Sequence, residues 1–311
     1  MDKAHLKEVK EYLEKFGALG NYFRDYSKLY IMTTENINGF LSRYNLNNKN
    51  ILTVGGSGDQ RYNAYLMGAN EVDCFDINPI TELHLKLKDA AIKNIDFEKF
   101  LYFFNIYTNK NNNEFESLDP RIFREFEQDL DEDARDFYNF VLNESIYLRC
   151  KDIYIDFDNE YQILKNMNNY LELNNYYKLK KILEKKKLSF MTSDVDELPD
   201  RLEGKKYDMI LLSNISDYIH QVYPGNDIER FRELIDRLKQ NLNMFGIIQV
   251  GYIYSMYSRG EDVSEFHIND ERHKYFPTSE FHSIFVDSYY GDGSYDKVIT
   301  YQKTMEGLWE K

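Results

Sequence analysis

The sequence has only two cysteines, Cys74 and Cys150, and they lack C-x-x-C spacing. No disulfide framework is therefore expected, and a reducing compartment is predicted. No stretch of about 18 apolar residues occurs, so no membrane-spanning helix is expected. The first residues, MDKAHLKEVKEYLEKFG, are charged and amphipathic, which is unlike a signal peptide. Together these features predict a cytoplasmic protein.

Basic residues are also scarce, since 39 Lys and Arg face 53 Asp and Glu and the net charge is −14. A field of this sign repels phosphate backbones, so nucleic acid is not an expected partner. The one dense basic run, KLKKILEKKK at 178–187, is typical of the solvent face of a helix end. Contact with an anionic lipid surface is the alternative interpretation of this run.

Apolar periodicity divides the chain into three predicted parts. Residues 1–48 are expected to be N-terminal helices, HLKEVKEYLEKFG and DYSKLYIMTTENINGFLSRYNL. Residues 49–95 and 189–311 alternate strands with helices, which predicts right-handed crossovers and a Rossmann-like, doubly wound, mostly parallel sheet. Residues 96–188 are helical by period and are predicted to form an inserted cap.

Five strands precede a predicted C-terminal hairpin. They are ILTV at 51–54, EVDCFDI at 71–77, LSFMTSDV at 188–195, YDMILLSNI at 207–215 and GIIQVGYIY at 246–254. The hairpin is indicated by FHSIFVDSYY and YDKVITYQK on either side of GDGS. It requires one antiparallel strand in an otherwise parallel sheet, and the predicted fold class is therefore α/β.

The stretch NILTVGGSGDQRYNAYLMGANEVDCFDINP places glycines after one strand and a carboxylate at the end of the next. Gly55, Gly56 and Gly58 allow a sharp turn and a close approach of backbone to a ligand. Asp76 stands where an acidic side chain accepts hydrogen bonds from a ribose diol. The alternatives are a purely structural turn and, for Asp76, a solvated acid or a helix cap, a role that Asn78 could also fill.

The loop departs from a dinucleotide fingerprint. Arg61 stands where that fingerprint has a small residue, and Asp59 puts a carboxylate where pyrophosphate would bind. A ligand that carries an ammonium or sulfonium group and no phosphate fits better. S-adenosylmethionine (SAM) is such a ligand.

Four segments resemble the motifs of class I SAM-dependent methyltransferases. ILTVGGSGDQ resembles their first motif and VDCFDIN the second, while MTSDVDELP resembles the third and YDMILLSNISDYI the fourth. The terminal hairpin is similar to that fold's antiparallel seventh strand. The resemblance implies a transferase that uses SAM, with methyl transfer as the first expectation.

A narrower resemblance involves SGD, DINP, LSNISDY and the long helical insertion. These features resemble the SAM:diacylglycerol 3-amino-3-carboxypropyl transferases of betaine-lipid synthesis. Those enzymes share the fold but move the aminocarboxypropyl arm of SAM to an oxygen acceptor. Aminocarboxypropyl transfer is therefore the second expectation.

The resemblance implies roles for the residues that match the motifs. Asp59 is expected to pair with the ammonium of SAM, Asp76 with its ribose, and Asp194 with its adenine. The full set of expected cofactor contacts is Gly55, Gly56, Ser57, Gly58, Asp59, Asp76, Ile77, Asn78, Asp194, Val195, Ser213 and Asn214. The general-base candidates follow the fourth strand and are Asp217, Tyr218 and His220, although His220 is also interpretable as a surface residue.

No metal is expected, because His267, Asp270 and His273 match no common tetrahedral site. The expected acceptor is a small or lipid-like molecule, and the oligomeric state is left open. Two other classes of protein stay open as well. One is an NAD-dependent oxidoreductase, against which Arg61 and Asp59 argue, and the other is a non-catalytic binding protein with the same fold.

Overall fold

The computed structural model describes residues 3–20, 26–106, 118–144, 153–155, 160–222, 225–257, 280–289 and 294–304. Several positions singled out in the sequence lie outside these ranges. They are Cys150, the GDG of the predicted hairpin turn, His267, Asp270 and His273.

Twelve α-helices are found in the described ranges. They are α1 (Lys3–Phe16), α2 (Ile37–Leu41), α3 (Asp59–Leu66), α4 (Ile80–Asn94), α5 (Phe97–Phe103), α6 (Pro120–Phe123), α7 (Glu132–Asn139), α8 (Tyr161–Met167), α9 (Leu173–Leu183), α10 (Leu198–Arg201), α11 (Ile215–Val222) and α12 (Asp227–Leu238). Short 3₁₀ turns cover Glu127–Asp129, Asn169–Leu171 and Lys239–Asn241, and a π-helical turn covers Phe140–Glu144.

The strands form a mixed sheet of seven in the order β3-β2-β1-β4-β5-β7-β6. They are β1 (Asn50–Val54), β2 (Glu71–Asp76), β3 (Ser189–Thr192), β4 (Tyr207–Leu211), β5 (Leu242–Tyr257), β6 (His282–Asp287) and β7 (Ser294–Gln302). Strand β1 pairs in parallel with β2 and β4, and β4 pairs in parallel with β5. Strand β7 runs antiparallel to both β5 and β6. The sheet confirms the predicted α/β class and its antiparallel C-terminal hairpin.

By the density of its internal contacts the chain forms two compact units. The first unit contains residues 1–33, 55–62 and 76–192, and the second contains 34–54, 63–75 and 193–311. The predicted division into N-terminal helices, a two-segment sheet domain and an insertion stays a prediction.

The core of the first unit is aromatic. Phe100 packs against Phe104 and Tyr176 with ring centroids 4.9 and 5.3 Å apart, and Phe97 lies 5.3 Å from Tyr176. All four rings are buried. Because one aromatic side chain removes a large apolar area from water, short helices such as α5 and α9 can share a stable core. The tyrosines and phenylalanines of this segment therefore largely serve packing.

The core of the second unit follows the sheet and combines aliphatic with aromatic side chains. Leu52 of β1 lies beside Ile210 of β4, and both side chains are buried. Strand β1 shows the continuous burial expected of a parallel strand covered on both faces. Helix α12 contributes Phe231, Leu234 and Leu238, which recur at helical spacing and are buried.

The predicted helix over residues 25–46 is wrong for most of its described length. Ser27 and Leu29 form isolated bridges, and helix α2 begins only at Ile37, where the Asn36 side chain accepts a hydrogen bond from the Gly39 N–H. The backbone before it bonds to distant side chains, since Ile31 O accepts from Lys88 and Thr33 N–H donates to Asp59. These tertiary bonds replace the helical ones that the apolar spacing predicted.

Candidate functional site

The glycine loop follows β1 and is closed by a bond from Gly58 N–H to Gly55 O of 2.8 Å. At Gly55, a Cβ would lie 2.8 Å from Thr81 Cγ2 and 3.3 Å from Asp76 Oδ2, so a side chain would push the loop away from the end of β2. Gly56 adopts φ +44°, and a Cβ there would meet nothing within 4 Å. The loop therefore approaches the Asp76 carboxylate closely and leaves free space beside Gly56.

Asp76, the last residue of β2, points back to this loop. Its Oδ2 accepts from Gly56 N–H at 3.0 Å and its Oδ1 from Asn78 N–H at 3.0 Å. Desolvation raises the pKa of this carboxyl above its ordinary value, while the backbone hydrogen bonds from Asn78 and Gly56 and a bond from Thr81 oppose the rise. The residue is partly exposed, so a ligand can approach this carboxylate from solvent.

The residues after Asp76 fix the start of α4. Asn78 Oδ1 accepts from Ile80 N–H at 3.1 Å, so Asn78 supplies the side-chain cap at this end of the helix. Its Nδ2 donates to Ser27 O at 2.8 Å, and the side chain is buried. Ile77, between Asp76 and Asn78, has an intermediate exposure. Asn78 therefore has a clear structural role, and Ile77 stays a predicted cofactor contact.

Asp59, predicted to pair with an ammonium group of a ligand, is satisfied inside the protein. Its side chain has no exposed area, and its Oδ1 accepts from Lys88 Nζ at 2.7 Å and from Tyr170 Oη at 2.6 Å. Its Oδ2 accepts from Thr33 N–H at 2.7 Å. We call the set formed by Asp59, Lys88 and Tyr170 the loop brace.

Lys88, on α4, is the cation of the loop brace, and its side chain has no exposed area. Besides Asp59, its Nζ donates to Ile31 O at 2.8 Å and to Ser57 O at 2.9 Å, which accounts for the three ammonium protons. Desolvation lowers the pKa of Lys88, and the charge and hydrogen bond of Asp59 counter that shift. One buried ammonium therefore holds a carbonyl of the glycine loop, a carbonyl of the preceding segment and a carboxylate.

Tyr170, in the 3₁₀ turn Asn169–Leu171, completes the loop brace from the predicted insertion. Its ring lies 5.4 Å from that of Tyr62, and Lys88 Nζ lies 5.6 Å from the centroid of each ring. Burial and the adjacent Asp59 charge raise the pKa of Tyr170 well above its ordinary value. The hydroxyl therefore keeps its proton and donates a hydrogen bond to the carboxylate.

A second buried ion pair joins the first turn of α3 to α4. Arg61 is fully buried and bonds Asp89 through two nitrogens, at 2.6 and 3.1 Å, while Tyr62 Oη donates to the same carboxylate at 3.0 Å. A two-pronged pair of this kind fixes the orientation of both side chains. Arg61 thus holds α3 against α4.

In the second unit, two predicted site residues bond to each other. Tyr218 Oη, on α11, donates to Asp194 Oδ2 at 3.0 Å, and the Asp194 Oδ1 accepts from Asp196 N–H at 3.0 Å. Val195 is buried beside them. The hydroxyl proposed as a base and the carboxylate proposed to meet adenine are therefore hydrogen-bonded partners.

The two other general-base candidates also lie on α11. Asp217 is part of this helix, and its side chain lies outside the described part of the structure. His220 Nδ1 lies 2.5 Å from Asp227 Oδ2, and its side chain is 49% exposed. His220 is therefore a surface residue oriented by a carboxylate.

The segment after β4 is strained and tightly bonded. Ser213 adopts φ +55°, a left-handed conformation that is uncommon outside glycine. Gln249, buried in β5, holds it by accepting from Ser213 N–H at 2.8 Å and donating to Ser213 O at 2.9 Å. Backbone strain that its surroundings enforce is a feature of functional sites.

A carboxylate that the sequence analysis overlooked reaches Ser213. Ser213 Oγ donates to Glu35 Oε1, and Tyr254 Oη lies 3.5 Å from the same oxygen. Glu35 is only 4% exposed. We call Glu35, Ser213, Gln249 and Tyr254 the β4 edge cluster; Asn214, the next predicted cofactor contact, is partly exposed beside Ser213.

Glu35 is held in place through its neighbour. Asn36 N–H donates to Tyr252 Oη at 2.8 Å, and the Tyr252 hydroxyl donates in turn to Asp296 at 2.7 Å. Burial, with the charges of Asp296 and Glu35, raises the pKa of Tyr252 well above its ordinary value. Tyr252 therefore stays protonated and anchors the segment that carries Glu35 to the sheet.

Sequence reasoning missed Lys88, Tyr170 and Glu35 because nothing near them in the chain marks them. Lys88 belongs to an amphipathic helix, where a lysine is normally solvated, and Tyr170 is one tyrosine among 27. Among the described residues, no group of three or more His, Cys, Asp and Glu is arranged to hold a metal ion.

No family model and no curated protein matches the sequence. Among solved structures, a candidate SAM-dependent methyltransferase from Streptococcus mutans is 13% identical over 86% of this chain and 46% of its own, with a TM-score of 0.36. Magnesium protoporphyrin IX methyltransferase from Synechocystis, with bound SAM, is 12% identical over 97% of this chain and 79% of its own, with a TM-score of 0.32. The rRNA methyltransferase aviRa from Streptomyces viridochromogenes is 13% identical over 82% and 77%, with a TM-score of 0.35.

The three solved structures named above are methyltransferases, and they do not confirm the aminocarboxypropyl transferase resemblance. This chain spans about half the length (46% and 47%) of the first two solved chains that it matches. All of the TM-scores quoted are below 0.5, so the assignment of the site rests on this chain's own geometry. The expectation that nucleic acid is no partner is not supported by these comparisons. Across the described ranges, none of the helices has the length and apolar character needed to cross a bilayer.

Proposed function

We propose that this protein is a SAM-dependent transferase that moves a methyl group to a small-molecule or lipid-like acceptor. The observation that supports the proposal is the contact between the glycine loop and Asp76. That carboxylate ends β2, accepts from Gly56 N–H and belongs to a residue that is partly exposed to solvent. A carboxylate in this position can take both hydrogen bonds of a ribose diol.

The residues present fit SAM in part. Asp76 and the open side of Gly56 suit an adenosine ribose. Asp59 does not suit the ammonium group, because its oxygens already accept from Lys88, Tyr170 and Thr33 inside the protein. We therefore propose that Asp59 shapes the loop and that the ammonium has a different partner.

SAM supplies an electrophilic carbon next to a sulfonium, so the protein's own task is to align the acceptor and exclude water. Asp217, Tyr218 and His220 stay predicted proton acceptors, and we add Glu35 to them. Glu35 is a buried carboxylate bonded to a serine whose conformation is strained, at the carboxyl end of β4, where open α/β sheets bind ligands.

Isothermal titration calorimetry with SAM and with S-adenosylhomocysteine tests the cofactor. We expect both to bind, and we expect Asp76→Asn to weaken binding at least about tenfold, because hydrogen bonds to a charged acceptor are lost. Asp73→Asn is the matched control. It removes a carboxylate of the same strand that bonds Tyr207 and Lys205 instead of the glycine loop. A heat of binding with NADH, together with no heat of binding with SAM, would contradict the proposal and favour an oxidoreductase.

The pH dependence of SAM binding provides a second test of Asp76. Its carboxylate must be ionised to accept hydrogen bonds from two hydroxyls, and desolvation raises its pKa. We therefore expect SAM affinity to fall as the pH is lowered through a value above the ordinary carboxyl pKa of about 4. Asp76→Asn should bind weakly with a flat profile over the same range.

Mass spectrometry of the nucleoside product distinguishes the two transfer reactions once an acceptor is found. S-adenosylhomocysteine indicates methyl transfer. Methylthioadenosine indicates aminocarboxypropyl transfer and would replace the reaction proposed here. Tight SAM binding without turnover of any acceptor would favour the non-catalytic alternative.

A further inference from the structure

Tyr170 belongs to the segment predicted as an insertion, 96–188, yet it bonds the glycine loop's own carboxylate. The structure assigns Tyr170 as a positioning residue of the SAM site: through Asp59 and Lys88 it holds the glycine loop in its binding conformation. This inference rests on the proposed function, since it concerns the same loop. On this inference, the predicted insertion contributes to the cofactor site as well as packing its own core.

The contacts run from Tyr170 to the loop in two short steps. Tyr170 Oη donates to Asp59 Oδ1 at 2.6 Å, and Asp59 is the residue that follows Gly58. Lys88 shares the same oxygen at 2.7 Å and donates to Ser57 O at 2.9 Å. The loop is thus bonded at a carbonyl within it and at the carboxylate directly after it.

These hydrogen bonds are short, involve charged groups and are shielded from water. All three side chains of the loop brace are essentially excluded from solvent, with exposed fractions of 0 to 1%. In such surroundings a charged hydrogen bond is stronger than in water, and a missing one is costly. The loop brace should therefore confine the glycines, which by themselves have the widest backbone freedom.

Restricting the loop in advance matters for ligand affinity. A glycine loop that is mobile in the free protein must be ordered when the ligand binds, and that cost reduces the affinity. A loop already held by Lys88 and Tyr170 avoids it. Loss of the Tyr170 hydroxyl should therefore weaken SAM binding. Loss of a buried hydroxyl away from the loop, with a similar effect on the free energy of unfolding, should not.

The test compares Tyr170→Phe with Tyr176→Phe by calorimetry with SAM and by urea unfolding. Tyr176 is also fully buried in the first unit, and its hydroxyl donates to Ile95 O at 3.2 Å, away from the loop. We expect both variants to unfold at somewhat lower urea concentrations. Only Tyr170→Phe should raise the dissociation constant for SAM, by about tenfold, as loss of a hydrogen bond to a charged group predicts.

Hydrogen exchange of the free protein gives a readout that needs no ligand. Tyr170→Phe should speed exchange at the amides of Gly56 and Gly58, and Tyr176→Phe should not. Equal exchange and equal SAM affinity in the two variants would overturn the inference while leaving the proposed function intact. Wild-type protein that fails to bind SAM would overturn the proposed function and this inference with it, even if the exchange result held.

A double-mutant cycle tests the route through Asp59. If Tyr170 acts on the loop through this carboxylate, Tyr170→Phe should have little further effect on SAM affinity in an Asp59→Asn background. Full additivity of the two changes would show that Tyr170 acts by another route and would contradict the assignment.

Discussion

The loop brace and the β4 edge cluster are both polar, but they are built in opposite ways. The loop brace is fully buried, whereas in the β4 edge cluster Glu35 and Gln249 are buried and Ser213 and Tyr254 are partly exposed. In the loop brace, a full positive charge meets a full negative charge, and the three protons of Lys88 all have acceptors. In the β4 edge cluster, Glu35 accepts from neutral hydroxyls of Ser213 and Tyr254. The backbone of Ser213 is also held in a left-handed conformation.

This difference indicates two separate tasks. A buried ion pair with full hydrogen bonding fixes one geometry, and breaking it by removing one partner is costly. A strained residue held by its neighbours costs stability and is retained where a particular geometry is needed. We therefore expect the loop brace to determine the shape of the glycine loop and the β4 edge cluster to present side chains for the proposed chemistry.

The largest expected effect comes from breaking the loop brace. Lys88→Met should lower the free energy of unfolding by about 3–5 kcal/mol, because Asp59 would be left buried without its cation. Urea denaturation measures the change. Lys7→Met, which removes one half of an exposed pair with Glu11, should leave stability unchanged within error. Wild-type stability in Lys88→Met would show that the pair does not hold the loop.

A smaller effect is expected from breaking the β4 edge cluster. Gln249→Leu removes both side-chain bonds to the Ser213 backbone and should cost about 2–4 kcal/mol, since a partly buried N–H and a partly buried carbonyl lose their partners. Equilibrium unfolding is again the measurement, and Gln240→Leu, at an exposed position, is the control. A loss no larger than the control's would mean that Ser213 keeps its conformation without Gln249.

The smallest expected effect comes from replacing two residues with positive φ, Glu203 and Ser213, by glycine. Glu203 follows α10 with φ +48° and is exposed, so Glu203→Gly should stabilise the protein by up to about 1 kcal/mol. Ser213→Gly relieves similar strain but loses the bond to buried Glu35, so it should give no gain or a loss of about 1 kcal/mol. An equal gain in both variants, measured by urea midpoint, would show that the Glu35 bond contributes nothing.

The sequence predicted most of the sheet because its strands are local patterns. Strand β1 is a β-branched and apolar run that ends at glycines, and α4 opens behind Pro79 as expected. Strand β4 is shorter than predicted, since it ends at Leu211 and α11 begins at Ile215. The turn at Ser213 is enforced by Gln249, which lies 36 residues away in the chain.

The candidate site was predictable where residues next to one another in the chain define it. The glycines after β1 and the acid at the end of β2 are such features. In the structure, the Gly56 nitrogen lies 3.0 Å from Asp76 Oδ2. The partners of Asp59 were not predictable, because Lys88 and Tyr170 are 29 and 111 residues away from it.

By itself, the sequence determined which segments turn, pair and pack, since those properties depend on local backbone freedom and on the periodicity of apolar residues. Only the tertiary structure decided which charges meet. A carboxylate such as Asp59 has the same local pattern whether it faces a ligand or a buried lysine. Its role depends on which distant side chains share its low-dielectric surroundings, and folding alone brings them there.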